Sequence, residues 1–130
     1  MYKIEKKTWG LELTFADTVP KQEMQAWLDE SKNLLKTLKP GFGVFVDMRT
    51  LKPIAADAQA VMQEGQKLFK AQGMARSVVI LAGSIVTLQF KRIAKETGIY
   101  EWERYLDSSV VPTWKDKGIA WVRDKIDPDK

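Results

Sequence analysis

From Gly43 to Met62 the chain reads GVFVDMRTLKPIAADAQAVM. An apolar run, Val44, Phe45 and Val46, ends in a carboxylate at Asp47, with Arg49, Thr50 and Lys52 directly after it. A helix is predicted from about Pro53. Open α/β sheets place their working surfaces where strands end and helices begin. Arg49 and Lys52, with the amides that open a later helix at Ser84, are suited to holding an anion such as a phosphate or an acidic side chain. The other reading is that Ser84 is a plain N-cap and the charges are solvated. Gly41 and Gly43 give only G-x-G, before a strand rather than after one, and no glycine loop leads into Lys-Ser/Thr. Nucleotide binding therefore has no motif behind it.

A second group of charged residues is Glu101, Glu103 and Asp107, beside Glu96 and near Arg104. Paired carboxylates can bind a metal or run glycoside hydrolysis. On a strand predicted over Tyr100–Asp107, Glu101 and Glu103 share one face, and the reading adopted is the wet face of an edge strand, paired with Arg92 or Arg104. The chain has no Cys and no His. That excludes Ser-His and Cys-His nucleophilic chemistry, a disulfide framework and the usual pH switch. No catalytic residue, cofactor or metal is expected. Of the five Trp, Trp27, Trp114 and Trp121 fall on apolar helix stripes and are assigned to the core. Trp9 and Trp102 are free to line an apolar pocket or a partner surface. Lys91, Arg92 and Lys95 share a helix but are too few to anchor a membrane alone.

The elements that must position these residues follow from periodicity. Tyr2–Lys7 and Trp9–Phe15 are strand-like, with Leu11, Leu13 and Phe15 alternating with Glu12 and Thr14. Asp17 or Thr18 is the predicted cap of a helix carrying Met24, Trp27, Leu28, Leu34, Leu35 and Leu38, closed by Pro40-Gly41. Phe42–Asp47 is a strand buried on both faces. The next helix runs to Gln72 on a stripe of Ile54, Ala58, Val61, Gly65 and Leu68, with Gly65 predicted to pack against the sheet. Ser77–Ala82 is a buried strand, Ser84–Thr97 a helix closed by Gly98, and Pro112–Lys125 a last helix capped by Ser108 or Ser109. The order ββαβαβαβα predicts one α/β domain over residues 1–126, a mixed, mostly parallel sheet of about five strands covered by about four helices, with 127–130 a frayed tail.

Composition agrees with a single globular domain: 130 residues, 45% hydrophobic and 29% charged. Such a chain buries roughly two thirds of the surface its unfolded form exposes. The net charge of +4 is spread and interleaved with acids, which argues for a solvated surface and against nucleic acid. The start, MYKIEKKTWG, lacks the apolar core of a signal peptide, and the longest nearly apolar run, Ser77–Val86, is about half a membrane span. A cytoplasmic location is expected.

This order, with the strand–Asp–loop–helix unit at its centre, resembles the STAS domain, the fold of the anti-sigma factor antagonists of the SpoIIAA type. More narrowly the chain is similar to bacterial SpoIIAA-like proteins of the STAS/SEC14 type. That match rests on FGVFVDMRTLKP, on RSVVIL followed by LQFKRIAKETGIYEWERYLD, and on Pro112-x-Trp114 and Ala120-Trp121. The resemblance implies a small cytoplasmic, non-enzymatic domain that binds a protein partner or a small apolar or lipid-like molecule, and that is open to homodimer formation. Classical antagonists place Asp-Ser-Ser-Gly at the start of the helix after the strand. Here Asp47 fits the first Asp of the pattern, and the later positions read Ala55-Ala56-Asp57-Ala58, so the phosphorylatable serine is missing. Asp57 at a helix start is either a fixed imitation of phosphate or an ordinary first-turn acid. The expected partner surface is Asp47, Arg49, Thr50, Lys52, Ala56, Asp57 and Ser84.

Overall fold

The alternating apolar residues of Gly10–Phe15 (β2) pair antiparallel with Tyr2–Lys7 (β1) through a turn at Thr8–Trp9, and every later strand adds parallel to the one before it. The computed structural model describes residues 1–130. After β2 come α1 (Lys21–Leu35), β3 (Gly43–Asp47), α2 (Ala56–Ala71), β4 (Arg76–Leu81), α3 (Ser84–Thr97), a 3₁₀ turn (Ile99–Glu101), β5 (Glu103–Asp107) and α4 (Trp114–Asp124). The sheet order is β1-β2-β3-β4-β5, so the fold is a single α/β domain with a mixed, mostly parallel five-stranded sheet and four helices. No helix is long and apolar enough to cross a membrane.

Chain-order addition decides where the helices go. Each parallel step needs a crossover, and crossovers of one hand, all advancing the same way, put α1, α2 and α3 on one face. That face of the sheet carries Leu11, Leu13, Phe15, Val44, Val46, Val79 and Leu81, packed under Trp27, Leu28, Val61, Phe69 and Ala94 from the three helices. The opposite face, with Phe45, Val78, Ile80 and Leu106, is left for α4, which covers it with Trp121 and Val122. Gly118 lets α4 approach closely, since a Cβ there would stand 2.5 Å from the Phe45 ring.

Several element ends differ from the sequence reading. Asp17 does not cap α1. It sits at φ 56°, donates its N–H to the Thr50 carbonyl and accepts the Lys52 N–H, so that Asp17 and Leu51 form an isolated parallel bridge. Those bonds hold the chain extended through Lys52 and delay α2 to Ala56. Gly65 does not face the sheet. A Cβ there would lie 2.3 Å from the indole of Trp27, which also stacks on Phe69 at 5.8 Å and meets Phe15 edge-on at 5.2 Å. The last residues turn back to the body. Asp127 accepts two bonds from Arg104, whose guanidinium lies over the rings of Tyr100 and Trp121, and Asp129 pairs with Lys91.

Gly65→Ala should therefore destabilise the fold by about 1–3 kcal/mol, because overpacking the α1–α2 seam outweighs the roughly 1 kcal/mol that alanine gains in a helix. A lower urea midpoint with an unchanged slope is the expected result; a raised midpoint would show that Trp27 moves aside freely.

Candidate functional site

Two regions compete for function, and chemistry separates them. The first is the strand-end edge. Asp47 accepts bonds from the Arg49 backbone N–H and, through both its oxygens, from the Arg49 Nε and Nη2, each at 3.0 Å. The same guanidinium lies 4.1 Å from the centre of the Trp114 ring. Arg49 is thus turned onto its own neighbours, and bonding to Asp47 raises its pKa above the ordinary range. Ser84 is engaged as well. Its hydroxyl donates to Asp107 at 3.0 Å, while the other Asp107 oxygen accepts from the Gly83 N–H and from the Ser109 N–H and hydroxyl. Asp107 therefore occupies the start of α3, where an anion would otherwise bind. These bonds, led by the Ser109 hydroxyl, hold the Asp107 carboxyl down at about 2. No hydrogen bond or ion pair joins Ser84 to Arg49 or Lys52. Thr50, Lys52, Ala56 and Asp57 are exposed, and Asp57 bonds only the N–H of Ala58, at 2.7 Å.

The second region is an apolar pocket of the kind that Trp102 was free to line. α1 and α2 pack side by side, whereas α2 and α3 share no substantial contact; α3 rests on β5 and the 3₁₀ turn. The gap leaves a cavity of about 670 Å³ between the two helices and the sheet. That is within the roughly 300–1,000 Å³ of small-molecule pockets. Val44, Val46 and Val79 lie on its sheet side, Met62 and Phe69 on α2, and Ile93 on α3; 14 of its 21 lining residues are hydrophobic. Trp102 lines it and so does Trp27, which the apolar stripe assigned to the core alone. Trp9 packs instead on the α4 side. The exposed lining residues Gln63, Gln66, Lys67, Lys70 and Ile93 mark its mouth, and Lys70 reaches across to lie 4.3 Å from the Trp102 ring.

The carboxylate cluster read from the sequence is not formed. Glu101 belongs to the 3₁₀ turn and Arg104 pairs with Asp127, so no wet edge face exists there. Glu103 points into the helix-covered side, where it lines the cavity beside its cross-strand neighbour Ser77. Its oxygens accept the Ser77 hydroxyl at 2.6 Å and the Tyr105 hydroxyl at 2.5 Å. Burial pushes the Glu103 carboxyl up from its ordinary range, and the two hydroxyl bonds offset only part of that. The available signal was the alternation Glu103-x-Tyr105 with Ser77 opening an apolar strand: a polar pair on a face that should be apolar.

No protein-family model matches the chain, and no curated protein matches it in sequence. Among solved structures, an uncharacterised protein of the DUF3478 family from Shewanella loihica PV-4, described as having a SpoIIAA-like fold, is similar with a TM-score of 0.69. The match covers 94% of this chain and 92% of that one at 10% identity. The fold expected from the resemblance is the fold observed, a SpoIIAA-like fold. At that identity the likeness concerns the fold, and function must come from the site.

Because the Asp107 pKa is depressed, its contribution to stability is full above its ordinary 3.8 and is lost as pH falls through about 2. Asp107→Asn should lower the melting temperature near neutral pH, and the gap to the parent should close across that acid window. A gap independent of pH would show that the side chain acts by shape alone.

Proposed function

We propose that this chain is a non-enzymatic binding domain that holds a small apolar molecule between α2, α3 and the sheet. The observation that carries the reading is the cavity itself. A domain of this size ordinarily fills such space with side chains, since each unfilled volume forfeits packing energy in proportion to its size. Here the lining is mostly apolar, its mouth is lined by exposed residues, and one wall is a helix that shares little contact with its neighbour. Those three properties suit entry and retention of a hydrophobic guest.

The fluorescence of the neutral probe N-phenyl-naphthylamine should rise and shift to the blue on binding. Ile93 is 52% exposed, so Ile93→Glu should leave the melting temperature nearly unchanged while weakening the probe by about tenfold or more. No probe binding by the parent, or equal binding by the variant, would count against the cavity.

A second reading keeps the strand-end edge as a docking surface for a protein partner in regulation. It is supported by the exposure of Thr50, Lys52, Ala56 and Asp57 beside a helix start with an acid in its first turn. Asp57→Lys should then abolish co-purification of a stoichiometric partner with little loss of stability, the helix-start charge being worth about 0.3–1 kcal/mol; retention of the partner would exclude this surface.

A further inference from the structure

The sheet side of the cavity is apolar except where Ser77 and Glu103 meet across β4 and β5. An ionised carboxyl offers about four acceptor sites. Glu103 receives two donors, the hydroxyls of Ser77 and Tyr105, one on each oxygen. None of its contacts is an N–H and none carries charge. The other acids buried in this protein are treated differently: Glu12 is paired with Lys7 and Lys115, and Asp107 accepts from two backbone amides as well as two hydroxyls. Glu103 alone among them has neither counter-charge nor amide, and it keeps part of its surface accessible on the cavity side.

We propose that Glu103 is the anchor of the cavity's ligand, and that this ligand is an apolar molecule ending in a primary amine. The proposal rests on the reading of the cavity as a ligand site and names the class of its guest. An ammonium supplies three donors and the missing positive charge. An alcohol supplies one donor and no charge, and a carboxylate brings a like charge to a buried carboxyl. Burial raises the Glu103 pKa in the empty cavity. An arriving ammonium opposes that rise, because an opposite charge beside a carboxyl favours its ionised form. The other titratable groups around the cavity are Tyr105 on β5, raised in pKa by burial and by Glu103, and Lys67 and Lys70 on α2. α3 contributes Ile93 and Thr97, which do not titrate. Lys70 is held by the Met74 carbonyl and the Trp102 ring, and Lys67 is exposed to solvent, where salt screens it.

Calorimetric titration with dodecylamine, dodecanol and dodecanoate below their micelle concentrations tests this. Parallel runs use Glu103→Gln. The expected result is one-to-one binding in which the amine is tighter than the other two by about tenfold or more. In Glu103→Gln the amine should fall to the level of the alcohol. Equal binding of all three by the parent, tightest binding of dodecanoate through the rim lysines, or an amine preference that survives in Glu103→Gln would overturn the anchor and leave the cavity reading standing. Failure of all three to bind the parent would overturn both. Should Glu103→Gln fold poorly, the parent's ranking of amine, alcohol and carboxylate decides alone.

Discussion

Parallel pairing in chain order, from β2 to β5, governs the rest of this molecule. Doubly wound folds reverse strand order and open a crevice at the carboxyl ends of two adjacent strands, where ligands bind. Here the order never reverses, so the strand ends hold no such crevice. What they hold is self-satisfied: Asp47 is closed by Arg49, and Asp107 by Gly83, Ser84 and Ser109. The same constraint crowds three crossover helices onto one face of a twisted sheet. Trp27 against Gly65 draws α1 and α2 together, and α3 is left to bridge the remaining width alone. The cavity is the residue of that geometry. It lies under helices rather than at strand ends, on the face where the sheet's inward side chains are nearly all apolar.

The element order was legible because period-2 and period-3.6 patterns are local properties of the chain. Leu11, Leu13 and Phe15 announce β2, and Met24, Trp27 and Leu28 announce α1, without reference to anything distant. The misreadings share a different cause. Asp17 has the right residue type for a cap, but its backbone is claimed by Thr50 and Lys52, far along the chain. Glu103 has the right type for a wet edge, but β5 lies beneath α3, so its inward side is covered. In each case a non-local contact outranked a local preference.

The site was less legible than the fold. Asp47, Arg49, Thr50, Lys52, Ala56, Asp57 and Ser84 stand out in the sequence by position at strand ends and helix starts, and the sequence carries no record of which charges neutralise one another. A void has no composition of its own. Val46, Val79 and Phe69 read as core whether or not another side chain touches them. Trp102, off the apolar stripes, pointed to a pocket without placing it; the polar residues on its apolar face, Ser77 and Glu103, meet across strands, and that pairing needed the register of β4 against β5.

Helix α3 is fastened at its two ends, by Asp107 at the start and by the Gly98 turn into the 3₁₀ segment, with Phe90 against Tyr105 between them. Its flank toward α2 has no partner helix, and Ile85, Leu88 and Ile93 are exposed. A segment with so few neighbours opens at a free energy below that of the whole domain. Amide exchange along this chain should accordingly be graded: the amides of α1 and β3 are expected to follow global unfolding, and those of α3 a smaller excursion in which one wall of the domain lifts and the remaining sheet stays folded.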